Sequence, residues 1–88
     1  MINKLSFSEK AWDDYLYFME NDKQIFKRIN ILIKDIKRSP FEGIGKPELL
    51  RYGLNGKWSR RITAEHRIVY TADDDEVEII ECRYHYEK

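Results

Sequence analysis

The spacing of apolar residues in the first half of the chain predicts two α-helices. After Ser8, a suitable N-cap residue, large apolar residues recur every three or four positions as far as about Glu20. They are Trp12, Tyr15, Leu16 and Met19. Asn21-Asp22 interrupts this pattern, and Asp22 can cap a second helix, which ends at Ser39-Pro40 because a residue before proline disfavours the α region. The apolar stripe of the second helix consists of Ile25, Ile29, Leu32, Ile33 and Ile36. The pattern therefore predicts two antiparallel helices joined by a tight turn.

Shorter segments with β-forming or alternating residues predict the strands of a sheet. Residues 4–7 fit a short strand at a sheet edge, and residues 48–52 fit a strand after the loop 41–47. Asn55-Gly56 is a strong turn signal that leads into a strand at 57–63. Further strands are predicted at 66–72 and 77–84. We therefore expect an α+β fold, in which a short N-terminal strand and two helices precede a mainly antiparallel sheet with the helices packed on one face.

Side-chain alternation along these strands predicts which residues face the helices. If the strands are regular, the core side carries Trp58, Ile62, Ile68, Tyr70, Ile80 and Cys82. Arg61, Arg67 and His85 then point to the open side. Arg60 breaks this pattern, because its parity places it on the core side unless it lies at a strand end or in a bulge. A single bulge would reverse the parity beyond it.

The size and composition of the chain favour one intracellular domain. Eighty-eight residues, 42% of them apolar, provide a modest core for a single domain over residues 1–88. The one cysteine, Cys82, has no partner for an internal disulfide, which suits a reducing cytoplasm. No apolar run approaches the roughly 20 residues that span a bilayer, and the N-terminus lacks the apolar centre of a signal peptide. We therefore expect a cytoplasmic protein that does not associate with membranes.

Charge is unevenly distributed, although the formal net charge is zero. Between residues 23 and 38, six basic residues stand against the single acid Asp35. Between residues 73 and 81, six acidic residues have no basic counterpart. A helix face this basic exceeds what solubility requires and attracts polyanions, whereas the acidic hairpin stays away from them.

Arginine, histidine and glutamate side chains are the main candidates for chemistry. The segment 57–70 carries several cations on predicted strands, and the run 82–86 has the same character. Such a sheet face suits an anionic ligand. Metal-binding spacings such as CxxC, HxH and HExxH are absent from the sequence, as is a glycine-rich phosphate loop. We therefore expect neither a metal nor a cofactor.

Residues of these types suit the metal-independent cleavage of RNA. RNA carries its own nucleophile, the 2′-hydroxyl, so cleavage needs a general base, an acid near the leaving 5′-oxygen, and positive charge at the phosphate. Arginine's forked donors match phosphate oxygens, and histidine can hold or release a proton near neutral pH. The residues alone leave a catalytic site, an RNA-binding surface and a protein-binding surface equally open.

The chain resembles the YoeB/Txe family of bacterial toxins, within the RelE/ParE-like superfamily. Four segments carry the resemblance over nearly the whole chain: SEKAWDDYLYF, SPFEGIGKPELL, GKWSRRITAEHRIVY and CRYHY. The resemblance implies a small α+β toxin of a type II toxin–antitoxin system that enters the A site of the 70S ribosome and cuts mRNA there. It also implies neutralisation by a cognate antitoxin of the YefM type, and it favours ribosomal RNA as the polyanion that the basic helix contacts.

The resemblance assigns roles to individual residues. The general base falls on Glu48, the phosphate-stabilising arginine on Arg67 and the general acid on His85. Substrate-binding residues carried over in the same way are Lys46, Arg51, Arg61, Glu65 and Tyr86. Arg51 stands where the family often has lysine, which keeps the charge but changes the donor geometry. Family members often end at the histidine–tyrosine pair, whereas Glu87 and Lys88 follow here and displace the terminal carboxylate.

Chemistry and side-chain parity indicate Arg61, Arg67 and His85 independently of the resemblance. Glu48 is indicated by the resemblance alone, since a single glutamate in a loop is ordinarily solvated. The ordinary alternative for Arg67 is a salt bridge to Glu65 or to an acid on a neighbouring strand. For Tyr84 we expect packing in the core.

Two other functions remain open from the sequence. The first is a toxin of the same fold that binds a protein target such as gyrase without cleaving anything, although such relatives lack the Glu/Arg/His set. The second is a non-catalytic module that binds RNA or docks an antitoxin. A homodimer through the exposed helix or a sheet edge is compatible with the sequence.

Overall fold

A computed structural model describes residues 2–51 and 56–84. These residues form, in chain order, β1 (Lys4–Phe7), α1 (Glu9–Asn21), α2 (Lys23–Arg38), β2 (Glu48–Leu49), β3 (Trp58–Arg61), β4 (Arg67–Ala72) and β5 (Glu76–Glu81). The sheet has the order β1-β5-β4-β3-β2, in which β1 pairs parallel with β5 and the other neighbours are antiparallel. The α+β prediction, with the N-terminal strand at a sheet edge, is confirmed.

The predicted caps fix the two helices. The Ser8 hydroxyl accepts from the Ala11 N–H at 3.0 Å and begins α1. The Asp22 carboxylate accepts from the Ile25 N–H at 3.1 Å and begins α2, while its own N–H bonds the last turn of α1. One residue therefore ends the first helix and starts the second, which produces the tight turn. In the described part of the chain, neither helix is long and apolar enough to cross a membrane.

The buried face of α1 differs from the predicted one. Ala11, Asp14 and Phe18 are buried, whereas Trp12 and Met19 are 48% and 44% exposed. The buried face is hard to recognise in the sequence because Asp14, a carboxylate, occupies a core position. There it accepts hydrogen bonds from the Lys10 ammonium and the Cys82 N–H. The helix was predicted correctly, but its apolar stripe was predicted only in part, since Tyr15 packs against the core whereas Trp12 and Met19 are exposed.

The core lies between the two helices and the helix-facing side of the sheet. Ile29, Leu32, Ile33 and Ile36 are buried as predicted, together with Ile62, Ile68, Tyr70 and Cys82 from the sheet side. The prediction for Ile80 is wrong, because Val77 and Ile79 are the buried residues of β5. The β4–β5 register shifts between Val69 and Tyr70, whose partners are Glu81 and Ile79. Ile80 is thus the extra residue of a bulge, which reverses parity and returns Cys82 to the core.

Arg60 lies on the core side of β3, where its parity placed it, and is fully buried. Its guanidinium donates to the Asp35 carboxylate at 2.6 Å and to the Tyr70 hydroxyl at 3.1 Å. It also donates to the carbonyls of Ser39, Glu42 and Ile44, at 2.6, 3.1 and 3.1 Å. A strand end or bulge is therefore not needed to accommodate the charge. Arg60 ties the loop after α2 to the sheet, and this loop leads directly to β2.

Candidate active site

Two arginines lie opposite each other on the face of the sheet away from the helices. Arg61 of β3 is the register partner of Arg67 of β4. The backbone N–H groups of the two arginines do not donate to each other's strand. The Arg61 N–H donates to the Gly45 carbonyl at 2.7 Å, and the Arg67 N–H donates to the Tyr84 carbonyl at 3.1 Å. They form a non-hydrogen-bonded pair, the kind in which side chains lie closest. Two like charges at such a pair repel, so this position favours an anion between or above them.

The same two hydrogen bonds attach a chain segment to each side of the arginine pair. On one side, Gly45 precedes Lys46 and Glu48. On the other side, Tyr84 is followed by His85 and Tyr86, which lie outside the described residues. The backbone thus brings together, around Arg61 and Arg67, segments that are nearly forty residues apart in the sequence.

Glu48 lies in β2 and pairs with Ser59 of β3. Register partners share a face, and Arg61 is two residues from Ser59, so Glu48 and Arg61 lie on the same face of the sheet. Glu48 and Lys46 are both exposed, and so is Arg51, the last described residue before the gap. Lys46 adopts a left-handed φ of 53°, an unusual conformation for a residue other than glycine.

Arg67 is held by carbonyl groups. Its Nη1 donates to the carbonyls of Thr63 at 2.7 Å and His66 at 3.1 Å. Within the described residues it forms no ion pair, so the alternative of a salt bridge to Glu65 is wrong. Its hydrogen bonds to described residues all come from Nη1 or the backbone N–H.

Glu65 is exposed and contacts a histidine. Its Oε1 lies 3.5 Å from Nε2 of His66. His66 is buried between the Phe18 and Tyr84 rings, whose centroids lie 5.0 and 5.5 Å from its own. Its Nδ1 accepts a hydrogen bond of 2.7 Å from the Tyr84 N–H. No local pattern indicates this contact, because the two residues lie 18 positions apart. A polar residue at the start of a predicted strand was the only signal.

Tyr84 does not pack in the core, contrary to our expectation. Its side chain is 50% exposed, and its backbone has a left-handed φ of 65°. Its ring lies 4.7 Å from the Arg83 guanidinium, which also covers the Tyr17 ring at 3.6 Å. The strand that was predicted to reach this residue already ends at Glu81.

The cysteine and the potential metal ligands of the described region also bear on its chemistry. Cys82 is fully buried, and burial raises the pKa of its thiol to about 12, which keeps the thiol protonated. No group of three or more histidine, cysteine, aspartate or glutamate side chains in residues 2–51 and 56–84 could hold a metal ion.

Comparison with known proteins identifies the family. A family model for the YoeB-like toxin of bacterial type II toxin–antitoxin systems matches residues 7–86. Toxin YoeB of Escherichia coli is 63% identical over 83 residues, which cover 94% of this chain and 99% of that protein.

Solved structures agree with this match. A chain of the Staphylococcus aureus YoeB dimer has a TM-score of 0.90 and 50% identity, covering 98% of this chain and 100% of that chain. A chain of the heterotetrameric YoeB–YefM toxin–antitoxin complex from the same organism has a TM-score of 0.87 and 52% identity, covering 98% and 99%. This chain therefore belongs to the YoeB-like toxins of bacterial type II toxin–antitoxin systems.

Proposed function

We propose that this toxin is a ribosome-dependent endoribonuclease that cleaves mRNA in the ribosomal A site and so inhibits translation. The observation that carries the proposal is the arginine pair Arg61–Arg67, whose backbone N–H groups hold Gly45 on one side and Tyr84 on the other. A phosphate bound at the pair would have Glu48 on one flank and Tyr84 on the other, and His85 is the next residue in the sequence. That is the order of base, cation and acid that phosphodiester cleavage by a 2′-hydroxyl requires.

In the proposed reaction, Glu48 takes the proton of the 2′-hydroxyl as its oxygen attacks phosphorus. Arg67, with Arg61, stabilises the equatorial phosphate oxygens as negative charge builds on them. The bond from phosphorus to the 5′-oxygen breaks, and His85 protonates that oxygen. The first products are a 2′,3′-cyclic phosphate and a free 5′-hydroxyl, so neither water nor an added nucleophile is consumed in this step.

The state of Arg67 supports its proposed role. Three carbonyl contacts at Nη1 fix one edge of the guanidinium, while the other edge has no described partner. A guanidinium fixed in this way loses little side-chain entropy when it binds phosphate, which favours orientation over mere attraction.

A primer-extension assay on a defined mRNA with translating ribosomes tests the proposal. The wild-type toxin should cut at the A site, and Glu48→Gln, Arg67→Ala and His85→Gln should each lower the rate, His85→Gln by about 10²–10⁴-fold. Glu20→Gln, an exposed carboxylate on α1, is the matched control and should cleave normally. Translational arrest without cleavage, equal in the wild type and all variants, would show a binding module instead. Cleavage unaffected by His85→Gln would remove that residue from the mechanism.

Ribosomal RNA is the proposed contact of the basic face of α2. Lys27, Lys34 and Lys37 are exposed on this helix and lie away from its buried stripe. Replacing all three with glutamine should weaken ribosome binding and flatten its salt dependence, because each lost phosphate contact removes about 0.7–0.9 from the log–log slope. The rate at saturating toxin should not change. A slope equal to that of the wild type would refute this contact.

A YefM-type antitoxin is the proposed partner, as in the Staphylococcus aureus complex of YoeB with YefM. Its acidic, disordered tail would fold across the basic face of the sheet and either occupy the site or displace residues 84–88. Cleavage that persists at saturating antitoxin would contradict this. A homodimer is also proposed, since the Staphylococcus aureus YoeB is described as a dimer; sedimentation of the purified toxin tests it.

A further inference from the structure

His66 holds the backbone of Tyr84 in a defined orientation. The Nδ1 atom of His66 accepts from the Tyr84 N–H at 2.7 Å, and the imidazole is only 7% exposed. Because Nδ1 accepts, the ring is neutral and carries its proton on Nε2, which faces the Glu65 carboxylate at 3.5 Å. The hydrogen bond and the packing against Phe18 leave the ring little freedom.

The next residue in the chain, Arg67, binds the carbonyl group of the same tyrosine. The Arg67 N–H donates to the Tyr84 carbonyl at 3.1 Å. Consecutive residues of β4 and its preceding turn thus fix both the N–H and the C=O of one residue. Tyr84 has a φ of 65°, a left-handed conformation that is unfavourable for a residue other than glycine. The surroundings must impose this conformation, and the two hydrogen bonds from His66 and Arg67 do so.

We propose that His66 is a positioning residue for the cleavage reaction, an inference that rests on the proposed function. It acts on His85 through the backbone of Tyr84, to which His85 is directly linked. The two hydrogen bonds fix the orientation of Tyr84, the residue that directly precedes His85 in the sequence. Arg67, the proposed phosphate ligand, makes one of them, so the proposed phosphate contact and the residue before the proposed acid share one anchor. A displacement of about 1 Å in such a site can cost about 10²-fold in rate.

Two variants separate the hydrogen bond from the packing. His66→Phe keeps a ring between Phe18 and Tyr84 but has no acceptor. His66→Asn loses most of the ring, yet its Oδ1 stands close to where Nδ1 lies and can accept from the Tyr84 N–H. At saturating toxin on programmed ribosomes, the Phe variant should cleave about 10- to 100-fold more slowly, with the half-saturating concentration unchanged. The Asn variant should recover most of that loss although it packs worse.

A double-mutant cycle with His85→Gln links the effect to the acid. If His66 positions His85, the Phe substitution should have almost no further effect once the acid is absent. An equal fold loss in both backgrounds would overturn the proposal, as would a wild-type rate for His66→Phe or an Asn variant as slow as the Phe variant. Urea denaturation confirms that each variant is folded.

The Tyr84 amide provides a readout that does not depend on activity. Its proton resonance in a ¹⁵N-edited spectrum should move upfield in His66→Phe and stay near the wild-type position in His66→Asn. A wild-type toxin that shows the hydrogen-bonded amide but cuts no mRNA would refute the proposed function, and the positioning role with it. A wild-type toxin that cleaves, with an amide unaffected by His66→Phe, would refute the positioning role alone.

Discussion

Arg60 gives the sharpest test of how the fold supports the site, because Asp35 bonds two arginines in very different surroundings. Arg60 is fully buried, whereas the Arg38 side chain is 75% exposed and lies 2.5 Å from the same carboxylate. Replacing each with methionine removes one guanidinium from Asp35 and leaves an unbranched apolar chain. Comparing the two variants therefore measures how burial changes the cost of losing a guanidinium, because the chemical change is nearly the same in both.

The structure gives the expected magnitudes. Arg60 uses its five N–H donors on five acceptors, namely one carboxylate, one hydroxyl and three carbonyls. Arg60→Met should lower the free energy of unfolding by about 3–5 kcal/mol, the cost of breaking a buried pair from one side. A domain of this size has a total stability of about 4–13 kcal/mol. Arg38→Met should cost about 1 kcal/mol or less, because water replaces an exposed partner.

Urea denaturation at neutral pH, followed by tryptophan fluorescence, measures both values. Arg60→Lys should fall between the wild type and Arg60→Met, since an ammonium keeps the charge for Asp35 but offers three donors instead of five. Equal costs for the Arg60 and Arg38 methionine variants would refute the reasoning. So would a cost below about 1 kcal/mol for Arg60→Met, which would mean that the loop carbonyls find other donors.

Three further predictions concern the same core and its edges. Gly43→Ala should lower the melting temperature clearly more than an exposed alanine substitution, because Gly43 has a φ of 131° and its added Cβ would overlap the Asp35 carboxylate. The Arg38 hydrogen bond, opposed by burial and aided by Arg60, lowers the pKa of Asp35 from 3.8 to about 2. The stability that ionised Asp35 contributes should therefore be complete above about pH 5 and decline as the pH falls from 3.8 toward 2. Acid titration of Asp35→Asn should lack this contribution to the decline. Burial raises the pKa of Cys82 to about 12, so a thiol reagent at pH 8 should modify the native protein far more slowly than the urea-unfolded one, and a fast native reaction would contradict the buried position.

Local signals in the sequence explain why the two helices could be predicted. Ser8 and Asp22 cap their helices through contacts only three residues away, and the stripe of α2 follows from its own periodicity. The bulge at Ile80 left no such signal, because its cause is the pairing of β5 with β4. The prediction from regular alternation therefore failed in β5, where pairing with β4 alters the alternation.

The candidate site was predicted in part for the same physical reason. Alternation alone placed Arg61 and Arg67 on the open face; Arg61 is exposed next to the buried Arg60, and the register pairs it with Arg67 on the same face. The proximity of the Glu48 segment depends on a backbone hydrogen bond between Gly45 and Arg61, which no local pattern encodes. The contact of His66 with Tyr84 and the burial of Arg60 by Asp35 likewise join residues 18 and 25 positions apart.

Both segments of the site are held by pairs of consecutive residues next to the turn of the β3–β4 hairpin. Arg60 points inward and binds the carbonyls of the loop after α2, while the backbone of Arg61 binds Gly45 at the end of that loop. His66 and Arg67 hold Tyr84 in the corresponding way. A shift of β3 by one residue would exchange the inward and outward arginines, placing a paired guanidinium in solvent and an unpaired one in the core. The network of Arg60 therefore fixes the register that presents Arg61, so the stability of the core and the geometry of the site depend on the same hairpin.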